Sequence, residues 1–219
     1  MTESLLLIAP MRTEARLLRR GAADAHVATS GVGPRRARSA AARFAATPAS
    51  AVAVVGFGGA LAPALEPGDV VVATDLRRRD GMIVAECPGA GIIAGALERA
   101  GVSARAAPVV SVRGPVVGDR RRRQLHEASG AAAADMESAW LARAAAGRPF
   151  AVLRAVLDSP KKLGPRAAAG SLQKAAATLA EWAAAIATRE IVVAAPRASC
   201  AGVERAIDVV EMALDREMR

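Results

Sequence analysis

Three acids carry the chemistry this chain can offer. Glu14 lies in IAPMRTEARLL, Glu137 in AAAADMESAWLARAA, and Asp158 closes the hydrophobic run FAVLRAVLD. Each is expected just past a strand, where open parallel α/β sheets bind their ligands. Carboxylates placed there accept hydrogen bonds and move protons. Any one of them alone has a plainer reading, as an acid in the first turn of a helix that complements the macrodipole. Three at equivalent positions, beside the glycine-rich GFGGALAP at 56–63, favour a site. The middle one is the most pointed. Asp135, Met136 and Glu137 interrupt a run of alanines built to pack, and a buried acid costs several kcal/mol unless it is paired or hydrogen-bonded.

Other routes to catalysis close quickly. His26 and His126 belong to no nucleophile motif such as GxSxG, and His126, in RRRRQLHEAS, is expected to be exposed. No HExxH and no His/Cys cluster suggests a metal. The glycine run is neither GxGxxG nor a Walker loop, because no Gly-Lys-Ser/Thr follows it. Cys87 and Cys200 are the two cysteines, neither in a CxxC. They point to a reducing cytoplasm and away from zinc.

The elements that must position the acids follow from hydrophobic runs alternating with alanine-rich stretches, which predict an α/β sheet. Strands are expected near 4–9, 25–30, 51–56, 69–75, 82–86, 106–112, 131–134 and 150–156. Helices are expected near 11–20, 34–46, 90–100, 119–129, 136–146 and 168–189. Val, Ile and Leu fill the inner strands without clean alternation, as in a sheet covered on both faces. After 189 comes one more strand, turn and helix, too little to bury its own faces. The organisation expected is a main domain over 1–188 and an appendage over 189–219.

The 219 residues are 53% hydrophobic, enough to bury a full core. No run approaches the ~20 residues of a membrane helix, and MTESLLLIAPMR lacks the basic start of a signal peptide. The net charge of +9 comes almost wholly from arginine, densest at Arg77–Arg79 and Arg120–Arg123. Such runs read first as solvated faces. With no Tyr, 3 Phe and 2 Trp, the aromatic platforms that bind single strands are nearly absent, so nucleic acid is not an expected partner. Contact with an anionic membrane surface is a further expectation of the charge.

At five places, in order, the chain resembles the purine nucleoside phosphorylase and methylthioadenosine/S-adenosylhomocysteine nucleosidase superfamily, over about residues 4–188. IAPMRTEARLL is similar to its strand followed by Ala-Met-Glu-Glu-Glu, with Met11 and Glu14 on the Met and the catalytic Glu. SGVGPRRARSAA at 30–41 resembles its Ser-Gly-Ile-Gly-Lys turn. GGALAPALEPGDVVVATD at 58–75 resembles Gly-Gly-Leu-x-Pro-x-Leu-x-x-Gly-Asp-Ile-Val-Val. ADMES at 134–138 resembles Glu-Met-Glu, and PFAVLRAVLD at 149–158 resembles Pro-Phe-x-x-x-Arg-x-x-Ser-Asp. The Asp-Met-Glu-Ser and Arg-x-x-x-Asp forms look like the hopanoid-associated branch, which implies adenine release from adenosylhopane.

The resemblance implies a nucleoside phosphorylase-like three-layer fold, a mixed central sheet flanked by helices. It also implies hydrolysis of the purine N-glycosidic bond of a 5′-substituted adenosine in the cytoplasm, with the inner membrane face as an expected place of contact. On that reading Glu14 orients or deprotonates the attacking water, and Asp158 protonates or hydrogen-bonds purine N7. Arg154 holds the acids electrostatically. Glu137 accepts from the ribose hydroxyls while Met136 packs on the sugar. Phe57, Gly58 and Gly59 line the ligand, and Val117, with Val116, packs on the base. No metal or cofactor is implied, and a homo-oligomer, commonly a dimer, is expected. The sequence departs from the pattern in three places. Leu157 replaces the Ser before the acid, Phe57 stands where the glycine loop has Ser, and SVRGPVVGDRRRR carries no aromatic to stack on adenine. The tail, IVVAAPRASCAGVERAIDVVEMALD, resembles the start of LytB-type 4-hydroxy-3-methylbut-2-enyl diphosphate reductase, with Cys200 at an iron–sulfur ligand position. One tail cysteine does not suffice for a cluster. The competing readings are a phosphate-dependent phosphorylase, a non-catalytic nucleoside-binding module, and a reductase fragment.

Overall fold

The computed structural model describes residues 5–160 and 162–187. The expected tail strand at 190–195, its helix at 202–217 and Cys200 lie outside the described residues. Within them the order is β1 (Leu5–Ala9), α1 (Arg12–Gly21), β2 (His26–Thr29), α2 (Pro34–Ala45), β3 (Ala51–Ala60), β4 (Val70–Arg77), β5 (Ile83–Glu86), α3 (Ala90–Arg99), β6 (Ala104–Ser111), α4 (Asp119–Ser129), β7 (Ala133–Asp135), α5 (Ser138–Leu141), a 3₁₀ turn (Ala142–Ala145), β8 (Phe150–Asp158) and α6 (Pro165–Ala187). All eight expected strands are present. The sheet is mixed, as expected: β1 runs parallel to β2 and β3, and β3 parallel to β8, whereas β7 is antiparallel to β3 and β8 antiparallel to β4. Because β4 also pairs with β6, and β6 with β7, the pairings β3–β8–β4–β6–β7–β3 close on themselves.

Successive residues of a strand point to opposite faces, and here both faces are apolar. Leu5, Leu7, Val55, Val70, Val72 and Leu153 pack with α1, α3 and the alanine-rich face of α6. Leu6, Ile8, Val52, Val54, Val71 and Val152 pack with α2 through Ala37, Ala40, Ala41 and Phe44. That is why these strands read as unbroken hydrophobic runs, and it gives the three layers.

Several expectations need correcting. The glycine run is not a loop: β3 continues through it to Ala60, paired with β8 on one side and β7 on the other. The expected helix at 136–146 is a four-residue helix and a 3₁₀ turn. Its start is held by the Asp135 carboxylate, which accepts from the backbone N–H of Glu137 and Ser138, and Ala146 ends it in the left-handed region. The arginine runs are only partly solvated faces. Arg122 is buried, and Arg77 donates to Asp75 and to the carbonyl of Ser129. His126 is half-buried, its Nδ1 2.8 Å from the carbonyl oxygen of Ala131.

Candidate active site

Glu14 does both of the things proposed for an acid after a strand. It is the third residue of α1, and Oε2 accepts from the N–H of Met11 at the helix start (2.7 Å), one half of a capping box. Oε1 accepts from the N–H of Phe57 on β3 (2.7 Å). That second bond crosses 43 residues of sequence and pins the carboxylate to the sheet. Phe57 therefore serves through its backbone, which explains how the chain tolerates Phe where the resemblance has Ser. Burial raises the Glu14 pKa; the Phe57 N–H, the Arg154 guanidinium and the Met11 N–H pull it down less, and Glu137 pushes it up further.

Glu137 arrives from the opposite direction. Because β7 runs antiparallel to β3, its C-terminal end turns back along the strand that carries Phe57 and Gly58, so the idea of three parallel strand ends holds only for Glu14 and Asp158. Oε1 of Glu137 accepts from the N–H of Gly33 at the start of α2 (2.8 Å), and Oε2 from the N–H of Met136 (3.3 Å). Glu137 is 4% exposed, and the helix that follows has four residues, too short to make dipole complementation its main role. Burial raises its pKa first; Arg154 opposes this, and Asp135 adds to it.

Arg154 on β8 joins these groups. Its side chain is fully buried, with Nη2 2.5 Å from Asp135 Oδ2 and donating to Ser138 Oγ (2.7 Å). Asp135 also accepts from Ser111 Oγ, which in turn accepts from the N–H of Ala139. Nε and Nη1 of Arg154 have no hydrogen-bond partner among the described residues. Nη1 and Glu14 Oε1 face the same point above Gly56: a Cβ on that glycine would lie 2.6 and 2.8 Å from them, and 3.0 Å from Pro10 Cδ. We expect Gly56→Ala to abolish turnover and to cost about 1–3 kcal/mol as an overpacked site, read by a base-release assay and by thermal unfolding.

Further along β3, Gly58 leaves room for the Arg154 stem and Gly59 for two other groups. A Cβ at Gly59 would lie 3.2 Å from Arg122 Nη1 and 3.3 Å from Asp158 Oδ1. The register slips between Gly58 and Gly59, so that Gly59 pairs with Asp158 and Leu157 is bulged out. Arg122, from α4, donates through Nη2 to Asp158 Oδ2 and through Nη1 to the carbonyl of Ala60 (2.8 Å). Gly56, at the Glu14 end, and Gly59, at the Asp158 end, are roughly 10 Å apart along β3 at ~3.3 Å per strand residue. Met136 is half-buried beside Glu137. Val116 packs on the cluster of Leu61, Val110 and Leu125, whereas Val117 is 69% exposed. Arg35 and Arg36 are exposed at the start of α2, and the buried Cys87 thiol is pushed up to about 12 by burial and by Asp75.

Sequence reading missed Asp135 as the partner of Arg154, Gly56 as its clearance, Gly33 as the anchor of Glu137, and Arg122. Asp135 alone had a signal, as a second acid inside an alanine run. The raised values of Glu14 and Glu137 carry a sign for stability. Folding favours their protonated forms, so their contribution is fully present below the ordinary Glu value of about 4.5 and is lost as pH rises through the raised values. The difference in Tm between Glu14→Gln and the wild type should therefore move in favour of the variant between about pH 4 and pH 8. Thermal unfolding across that range checks it.

Solved structures share this arrangement of strands and helices. The 5′-methylthioadenosine/S-adenosylhomocysteine nucleosidase of Campylobacter jejuni is similar at a TM-score of 0.66 and 18% identity, over 86% of this chain and 100% of the other. That of Neisseria meningitidis, in complex with methylthio-immucillin-A, is similar at 0.65 and 24%, over 82% and 99%. Futalosine hydrolase of Helicobacter pylori is similar at 0.67 and 17%, over 87% and 99%. No curated protein matches the sequence. The sequence profile of the phosphorylase superfamily matches residues 10–192, and the chain belongs to that superfamily.

Proposed function

We propose that the protein is a nucleosidase that hydrolyses the N-glycosidic bond of a 5′-substituted adenosine. The observation that carries this reading is the cluster at Gly56. Two buried carboxylates, Glu14 and Glu137, share one buried guanidinium, Arg154, two of whose nitrogens are unpartnered among the described residues. Glu14 would take the proton of a water attacking the ribose C1′, and Arg154 Nη1, facing the same point, would orient that water. Glu137 would accept from the ribose hydroxyls, with Met136 against the sugar. Asp158, at the other end of the β3 glycines, would address the purine. Water fits this place better than phosphate does. Asp135, Glu14 and Glu137 surround a single guanidinium already paired with Asp135, and a phosphate dianion would meet that excess of acid.

The structural likeness to the nucleosidases of Campylobacter jejuni and Neisseria meningitidis supports the same reading. The 5′ substituent we propose is a hopanoid, from the Asp-Met-Glu-Ser resemblance. The arginine-rich exposed surface would then meet the anionic membrane in which such a substrate resides. No described helix is long and apolar enough to cross a membrane.

A panel of adenosines with methylthio, homocysteinyl and extended aliphatic 5′ groups tests the substrate class. Adenine release from at least one, with a preference that follows the 5′ group, is expected; no release from any would remove the reading. Glu137→Gln should weaken binding of ribosides by the ~1.5–3 kcal/mol of a charge-assisted hydrogen bond, and leave 2′,3′-dideoxy analogues nearly unchanged in calorimetry. Equal losses on both would return Glu137 to a role in holding Gly33.

A further inference from the structure

We propose, building on the nucleosidase reading, that Arg122 is a catalytic and specificity-determining residue at the base end of the site. The Arg122–Asp158 pair reads the edge of a 6-aminopurine, with the guanidinium donating to N7 and the carboxylate accepting from the 6-amino group. Arg122 belongs to a run of four arginines on α4, yet its side chain is 8% exposed while that of Asp158 is 37% exposed. The cation is thus the anchored member, fixed by the carbonyl of Ala60, and the carboxylate is the member open to a ligand. Both stand over Gly59, where a Cβ would touch each. Asp158 Oδ2 is engaged by the guanidinium, and Oδ1 is the oxygen turned over Gly59. Leu157 offers no hydroxyl to position the acid, and Arg122 does that work from 36 residues away.

The chemistry of the purine edge makes the match specific. Adenine presents an acceptor at N7 beside a donor at N6, whereas a 6-oxopurine presents two acceptors. A donor beside an acceptor, which is what the ion pair offers, complements the first and places a carboxylate against O6 of the second. The pair also changes how the leaving group departs. As the C1′–N9 bond breaks, its electrons move into the purine, and a fixed cation at N7 meets that charge in place. The water oxygen bonds to C1′ and its proton passes to Glu14. Glu14 returns that proton to solvent, and the departing purine anion takes one from solvent, so the balance closes without a proton from Asp158. Arginine stays charged throughout the accessible pH range.

The test uses the full chain, a 5′-substituted adenosine that it cleaves and the matching inosine, with kcat and KM measured across pH for the wild type, Arg122→Met, Arg122→Lys and Asp158→Asn. The wild type is expected to show no alkaline loss of kcat up to about pH 9, as an always-charged donor requires. Arg122→Met is expected to lose roughly 10²–10³-fold in kcat, the usual loss for one transition-state donor, with a smaller change in KM. Arg122→Lys should recover part of that loss. Asp158→Asn, whose amide can donate to O6, should raise the ratio of inosine to adenosine kcat/KM. Unchanged kcat and pH profile in Arg122→Met, or an alkaline limb in the wild type, would overturn the proposal while leaving the nucleosidase reading standing. Should Arg122→Met fail to fold, Arg122→Lys and Asp158→Asn decide it, because an unchanged base preference in Asp158→Asn contradicts it equally. No base release by the wild type would instead fail the nucleosidase reading itself.

Discussion

Replacing Glu14 by Gln should lower kcat by roughly 10²–10⁴-fold, the usual contribution of general acid–base catalysis. The substitution keeps the shape of the side chain and one acceptor for the Phe57 or Met11 N–H, so α1 and β3 should stay in place. What it removes is the group that takes a proton from water. The wild-type dependence on pH should carry the same signature. Burial raises the Glu14 pKa above the ordinary carboxylate range, so the acid limb of kcat/KM, along which the base loses its proton, should be displaced upward to match. A Gln variant that turns over at the wild-type rate would leave Glu14 as a helix cap and nothing more.

The largest loss of stability should come from Arg154→Met. The guanidinium is fully buried and lies 2.5 Å from Asp135, itself fully buried. Removing one partner of a buried pair typically costs about 3–5 kcal/mol, because the other charge is left uncompensated. Asp135 would keep Ser111 Oγ and two backbone N–H groups, which favours the lower half of that range. Arg154 also holds down the pKa values of Glu14 and Glu137, so its loss should move the acid limb of any residual activity further upward. Urea unfolding of Arg154→Met, compared with Arg154→Met combined with Asp135→Asn, separates the two effects. Most of the stability should return in the double variant, and activity should not.

The layers and the three acids were legible because they rest on local pattern. Runs such as LLLIA and AVAVV bury both faces, and an acid after each of three strands is visible in one dimension. What escaped was decided by contacts across the sheet. GFGGA reads as a loop because its three glycines and its alanine have little strand propensity, yet β8 and β7 pair with it and supply the order it lacks. Arg122 reads as one of four solvated arginines, and only the folding of α4 against Asp158 singles it out. Glu137 could be guessed as a ligand-binding acid, but its anchor, Gly33, lies 104 residues away. The helix expected at 136–146 fails for the same reason: Asp135 captures the N–H groups of Glu137 and Ser138, a preference for local side-chain bonding that alanine content conceals.

Phosphate dependence of base release tests the central claim most directly. The full chain would be incubated with 5′-methylthioadenosine or another cleaved adenosine, first in phosphate-free buffer and then with saturating inorganic phosphate. Adenine would be followed by absorbance, the free sugar by proton NMR and any ribose 1-phosphate by phosphorus NMR. The cluster of Glu14, Glu137 and Arg154 predicts equal rates in both buffers and a free 5′-substituted ribose. Release that requires phosphate, with a ribose 1-phosphate as product, would contradict it.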